Sequence, residues 1–375
     1  MITSELPLAR KTRVSLPAIQ ILDNFISLQA VLDAQPGAPL EQVPSDVFGT
    51  LPWFENLAAF GRDGASQSEA VCQLWLAADG HSGPVLCLPL LSGQKLTGLS
   101  NYYSSLFLPM VWQTAGAGLV AQPGAAHWQA LAQAMRQHPT RWPVLMWDPL
   151  DPQSAFFTGF QAALRQAGYA VDRYFCFGNW YLQVGGRAFA AYFQMLPSAL
   201  RHSIARGQRR LSRQGAWQVV IQQLPDASLE AAIGDFVAVY EKSWKGPEPN
   251  RQFIPALARV AAGQGWLRLG VLRLDGQAIA AQLWLVHGGK AAIFKLAYVE
   301  GFERFSAGSV LTAALMQHVL DVDQVQEVDY LTGDDAYKRD WMSHRRERWG
   351  LVAFDRRTPS GLMAWLKHWA GKKLR

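Results

Sequence analysis

Apolar residues recur along this chain in two spacings, alternate and three-to-four apart, and together they lay out two successive α/β halves. In the first half, Val71–Leu76 and Gly83–Leu91 are strand-like runs on either side of Ala78-Asp79-Gly80, which predicts a hairpin. Leu96–Phe107 adds a further strand. Trp128, Leu131 and Met135 share one face of a helix over 127–137, Trp142–Trp147 is a strand, and a helix over 154–168 stops at Gly168. Tyr174–Val184 closes the half as a strand in which Gly178 marks a bulge or a close backbone approach. Ahead of these lie a helix predicted over 18–33 and a helical turn at Trp53–Leu57.

Gly185-Gly186 is the candidate boundary, giving domains 1–185 and 186–375. Beyond it, Pro197-Ser198 starts a helix over 199–214 whose Arg206, Arg209, Arg210 and Arg213 fall largely on one face. Strand Trp217–Gln222, helix 229–244, the proline-rich loop Lys245–Pro249 and helix 253–262 follow. Trp266–Leu274 and Ala278–Val286 flank Asp275-Gly276, the plainest hairpin signal present, and Lys290–Tyr298 is a third strand. Ser306-Ala307-Gly308-Ser309 then opens a helix through Leu320, and strand Val325–Leu331 ends in Thr332-Gly333-Asp334-Asp335.

Strand, small-residue turn, helix and strand form an arrangement that seats a pyrophosphate. Unpaired amides and the positive dipole end face the anion, and glycine at 308 lets it approach the backbone. The competing structural reading is an ordinary turn with Ser306 or Ser309 as N-cap.

Composition narrows the class. The 375 residues are 50% hydrophobic and 17% charged, as in a globular chain. A net charge of +6 favours an anionic ligand such as a phosphorylated cofactor, an acidic glycan or a nucleic acid. The three cysteines and eight histidines form no CxxC, HExxH or other ligand cluster, so neither a disulfide framework nor a metal is expected. No secretory leader or membrane-length apolar run is present, and a cytoplasmic protein is the expectation.

Several segments resemble the CelD-like acetyltransferases of cellulose or exopolysaccharide biosynthesis, a FemAB-like branch of the GNAT superfamily. They are Leu200–Arg206, Arg209-Arg210-Leu211, Tyr240–Trp244, Asp275–Gln282, Phe294–Tyr298, Phe305–Ser309 and Gly333–Lys338, in order between Tyr192 and Trp349. Phe305 and Val310 depart from the general GNAT phosphate-loop pattern, as that branch does. The resemblance implies an α/β (α+β) fold of tandem GNAT-like domains, each a mixed central sheet flanked by helices, with a degenerate first domain forming one wall of the acceptor cleft. It further implies acetyl-CoA or another acyl-CoA as co-substrate, no metal, and transfer of a non-aminoacyl group to an amine. The acceptor would be a small molecule or glycan precursor, such as an amino sugar for the envelope or an exopolysaccharide.

One alternative is an aminoacyl-tRNA-dependent transferase like the related FemAB proteins; the sequence shows no long heptad arm or large basic domain, which weighs against it, and no nucleic-acid partner is expected. A second alternative is a non-catalytic protein that kept the fold and binds polyanions on its arginine helix.

Candidate residues follow from these segments. Asp334 or Asp335 would act as general base and Tyr337 would protonate the leaving thiolate; the structural rivals are an N-cap and a packed aromatic. Leu296, Ala297 and Tyr298 would receive the pantetheine arm and thioester oxygen, with Ser306, Ala307, Gly308, Ser309 and Lys338 at the phosphates. Arg201, Trp244, Lys245, Gln282 and Lys295 would meet the acceptor. Arg345, Arg346 and Arg348 beside Trp349 are expected to pack their stems and keep their heads in water. The apolar stripe of Gly361–Trp369, followed by Lys372-Lys373, is expected to dock on the protein, the alternative being peripheral contact with a membrane surface.

Overall fold

A computed structural model describes residues 16–34, 39–43, 46–61, 71–78, 85–94, 98–102, 104–115, 123–245, 248 and 250–373. The first half comprises β1 (Ala18–Leu22), α1 (Phe25–Asp33), β2 (Leu40–Gln42), α2 (Leu51–Phe60), β3 (Val71–Ala78), β4 (Val85–Gln94), β5 (Gly98–Asn101) and β6 (Met110–Thr114). It continues with α3 (Ala125–Gln137), β7 (Val144–Leu150), α4 (Ala155–Gln166) and β8 (Ala170–Gln183). Next come α5 (Phe189–Met195), α6 (Ser198–Gln214), β9 (Trp217–Gln222), α7 (Leu229–Glu241), α8 (Phe253–Gly263), β10 (Leu267–Leu274), β11 (Gln277–His287) and β12 (Lys290–Tyr298). The last elements are α9 (Ala307–Asp321), β13 (Glu327–Asp329), α10 (Ala336–Arg339), β14 (His344–Phe354) and α11 (Pro359–Lys373).

One mixed sheet runs through the whole molecule in the order β1-β3-β4-β5-β7-β14-β8-β13-β12-β11-β10-β9, with β6 beside β4 and β2 beside β6. Each half repeats one scheme. An antiparallel meander leads to a parallel pair, β5 with β7 in the first half and β12 with β13 in the second. The strand completing each half comes from the other. β14 pairs with β7, β8 pairs with β13, and the two exchanged strands pair with each other over eleven positions. Both faces of the sheet are packed with helices, which is the tandem mixed-sheet fold.

The Asp275-Gly276 hairpin forms as its sequence requires, both residues standing at positive φ (48° and 80°) in the manner of a type I′ turn. Residues 18–22 are strand β1, pairing with β3, rather than the first turns of a helix; the helix starts at Phe25 behind an Asn24 cap that accepts from Ser27 N–H. The loop Asp79-Gly80 lies outside the described residues. No described helix is long and apolar enough to cross a membrane.

Strand exchange carries a testable consequence. Residues 186–375 expressed alone leave β13 without β8 and β14 without both flanking strands. That fragment is expected to show no cooperative thermal transition until residues 1–185 are supplied in trans. A single sharp melt of the fragment alone, followed by circular dichroism, would contradict the coupling of the halves through these strands.

Candidate active site

The site begins where two parallel strands part. β12 pairs with β13 only over Lys290–Ala292 and Glu327–Asp329. Beyond that point β13 is turned aside by its own last residue. Asp329 Oδ1 accepts the Leu331 N–H at 2.7 Å and an N–H of the Asn179 amide at 2.6 Å, and Leu331 stands in the left-handed region at φ 54°. The expected strand over 325–331 is therefore cut short.

On the other side β12 bulges. Ile293 opposes Trp284 and Lys295 opposes Leu283, so Phe294 is the extra residue, and a bulge re-aims its neighbours. The parted edges, Ile293–Leu296 and Tyr330–Thr332, form the floor of a cleft of about 480 Å³. Trp53, Leu57, Phe60, Ser104 and Ser105 from the first half make one wall; Tyr240, Trp244, Lys245 and Glu248 make the other. Both halves are thus needed to enclose it.

Asp329 is fully buried and ringed by Lys290 Nζ at 2.9 Å, Arg346 Nη2 at 2.5 Å and Arg348 Nη2 at 3.8 Å. Burial opposes its charged form, but Lys290, Arg346 and Arg348 outweigh that and hold the carboxyl well below the usual range. This corrects the expectation for two of the β14 arginines: the heads of Arg346 and Arg348 point into the sheet junction, and Arg348 is buried. The overlooked signal was Asp329 standing between Val328 and Tyr330, two positions after Glu327 on the same strand.

Behind the parted strands lies the start of α9. Ser306 occupies the N-cap position at φ 50° without capping through its side chain; its hydroxyl meets that of Ser203 on α6 at 2.9 Å instead. The amides of Ala307, Gly308 and Ser309 thus precede the first helical hydrogen bond, from Val310 N–H to Ser306 O, and no side chain caps them. Gly308 is half-buried but uncrowded. A Cβ added there would touch only the Tyr298 ring, at 3.5 Å. That ring stacks obliquely on Trp244 at 4.6 Å between centroids, and Trp244 lines the cleft. Tyr298 and Trp244 thus stand between the helix start and the cleft, and Ser306, Ala307, Gly308 and Ser309 are not among the residues that line it.

Residues 198–339 match the family model described as an acetyltransferase (GNAT) domain. Over that stretch the chain is similar to the acetyltransferase (GNAT) domain. No curated protein matches the chain in sequence. Among solved structures, it is similar to FemX (11% identity, TM-score 0.51, 89% of this chain and 96% of that one). It is also similar to a conserved protein of unknown function from Bacteroides thetaiotaomicron (7% identity, TM-score 0.54, 90% and 100% covered). A tandem GNAT protein from the clavulanic acid biosynthesis pathway aligns over 84% of this chain and 98% of its own at 13% identity and a TM-score of 0.44. At such identities the first two likenesses speak to the fold alone.

Within residues 198–339, Tyr337, Asp335, Lys338, Lys295, Leu296, Trp244 and Lys245 all line the cleft. Burial, and to a lesser degree Asp335, push the Tyr337 hydroxyl up to about 12, so it keeps its proton at neutral pH. Its ring meets Tyr330 edge-on at 5.7 Å. Asp335 N-caps α10 by position only, without a side-chain cap bond, and its Oδ2 lies 3.1 Å from Lys338 Nζ. Lys338 is itself buried, donating to the carbonyls of Thr332 and Gly333, so it braces the turn after β13 from inside.

Lys295 pairs with Glu248, a partner that the proline-rich loop contributes. The ammonium of Lys245 reaches solvent, yet burial of part of the side chain and the nearby Lys295 and Lys338 lower its pKa, against the pull of Glu248 and Asp335. Trp53, Phe60 and Phe253 are lining residues that sequence reasoning did not single out as site candidates.

Other candidates stand elsewhere. Asp334 leaves the cleft: its carboxylate accepts from Arg345 at 2.7 Å and from the Trp180 indole at 2.7 Å, and the Arg345 hydrogen bond holds it below the usual range. The pair crosses Gly178, where any Cβ would collide with both side chains, so the close approach expected of that glycine is found. Gln282 is buried behind the start of α9, donating to Gly308 O at 3.0 Å and Thr312 Oγ1 at 2.8 Å, and so fixes the helix rather than facing the cleft. Arg201 donates to Leu196 O and Gln194. Ala297 is buried on β12, opposite Ala281. Among the described residues, no His, Cys, Asp or Glu cluster is placed to hold a metal ion.

Proposed function

We propose that the protein is an acyl-CoA-dependent N-acyltransferase. The observation that carries this reading is the uncapped, glycine-opened start of α9 standing behind the parting of β12 from β13. Amides of Ala307–Ser309 suit a diphosphate, and the free edge of Ile293–Leu296 suits an extended amide-bearing arm. Acyl-CoA supplies the activated thioester when bound. The chain's part is to align an amine with it, exclude water with the aromatic walls, take a proton at Asp335 and give one from Tyr337.

The CelD-like motifs between Tyr192 and Trp349 favour an acetyl donor and an amino sugar or another precursor of the envelope or an exopolysaccharide. The first half, residues 1–185, acts here as the degenerate sister that walls the acceptor side.

Acetyl-CoA is expected to raise the melting temperature, and a thiol-release assay with an amine panel to report turnover. Tyr337→Phe is expected to lower kcat by about 100-fold while the donor Kd stays within about twofold, because general acid–base groups contribute on that scale. Unchanged turnover would remove Tyr337 from the chemistry. The rival polyanion-binding reading has one observation behind it: among the described residues, no carboxylate lies in ion-pair distance of Arg201, Arg206, Arg209, Arg210 or Arg213. Stabilisation by a sulfated polymer with none by acetyl-CoA would favour it.

A further inference from the structure

The twenty residues from Arg356 to Arg375 contain six Lys and Arg and no Asp or Glu, so they account for the chain's whole net charge of +6. α11 falls within them. It rests on β14 and β7 through Gly361, Ala364 and Trp365, and Asp172 of β8 holds both His368 and Lys372 at 2.8 Å. Its other side is unusual for a surface helix. Leu362, Met363, Leu366 and Trp369 are 41%, 67%, 43% and 48% exposed. Their spacing gathers them on one face, turned away from the residues that dock the helix. Lys367 flanks that face, and Lys373 lies over the Trp369 ring at 4.0 Å.

The expectation that the apolar stripe packs on the protein therefore fails for these four side chains. We propose that α11 docks the protein on anionic lipid surfaces. The Leu362–Trp369 face would enter the boundary between headgroups and acyl chains, with Lys367 and Lys373 on the headgroups. Charge decides among the occupants. A second copy seated on the same face would bring two acid-free, cationic segments together, whereas anionic headgroups neutralise them. At fifteen residues α11 is too short to span a bilayer but suits one lying in its interface. Tryptophan at the edge of the stripe is the residue that such a boundary favours.

The full chain is tested by flotation with phosphatidylcholine vesicles, with and without phosphatidylglycerol. Preferential flotation on the phosphatidylglycerol vesicles, weakened by salt, is expected. Leu366→Glu with Trp369→Glu should lower that binding at least about tenfold, since it puts charge into the apolar boundary. Both side chains are solvent-exposed, so the variant's melting temperature should match the parent's, and Leu366→Ile should float normally. Three results overturn the proposal: no flotation on anionic vesicles, equal flotation on neutral ones, or a variant that floats like the parent. A concentration-dependent dimer in sedimentation that the same double substitution abolishes would also overturn it, by assigning the face to a second copy.

Discussion

Asp329→Ala is expected to cost the fold about 3–5 kcal/mol, the scale of breaking a buried ion network by removing one partner. The cost comes from the cations left behind. Lys290 would keep Asp46 at 2.6 Å, and Arg346 would keep Glu327 at 2.7 Å. Arg348 fares worst: its Nη1 has no hydrogen-bond partner among the described residues and lies 3.6 Å from Asp151. Adding Arg348→Met to Asp329→Ala should therefore recover part of the loss, a non-additivity that chemical denaturation can measure. Additive costs would show that stranded charge is not the cause.

The sign of the pH dependence follows from the same network. Asp329 is held below its unfolded value, so its contribution is fully present above about pH 4 and drains away as the medium is acidified further. The alanine variant should lose that part of the acid slope. Donor binding should weaken as well, because Asp329 also holds Leu331 in the turn that separates β13 from β12.

Legibility from sequence followed local chemistry. The Asp275-Gly276 hairpin, the arginine helix and the helix after Gly308 were readable because turn residues and apolar spacing settle them within a few positions. Three features were not, and each depends on partners distant in sequence. β14 was missed as a strand since Arg346 and Arg348 look like solvated cations until Asp329 and Asn179 are brought beside them. The early end of β13 depends on the Asp329 contact with Leu331, not on any breaker residue. The periodicity of α11 gives an apolar stripe but no direction, and docking through Gly361, Ala364 and Trp365 turned that stripe outward.

At the site, Asp334 and Asp335 are indistinguishable as a sequence pair. Arg345, eleven residues beyond the first, claims it and leaves the second to the cleft. Glu248 was likewise hidden in a loop too proline-rich to place, though it supplies the partner of Lys295.

Gly308→Trp is expected to abolish acetyl-CoA binding, with an affinity loss beyond about 100-fold, while Gly308→Ala separates structure from ligand. The glycine is not needed for a left-handed backbone, and an added methyl would meet the Tyr298 ring at an ordinary 3.5 Å. Alanine should therefore leave the melting temperature unchanged or slightly higher, as replacing glycine within a helix does by up to about 1 kcal/mol. It should still weaken the donor by about tenfold, roughly 1.4 kcal/mol, because the methyl stands where a diphosphate would approach the Gly308 and Ser309 amides. Calorimetric titration of the parent and both variants checks this. Equal acetyl-CoA affinity in all three would mean that the start of α9 holds no phosphate and that Gly308 serves only the turn into the helix. Because Gly308→Ala leaves Asp335, Tyr337 and the cleft floor untouched, its loss of binding with a retained fold would assign the donor to this helix start.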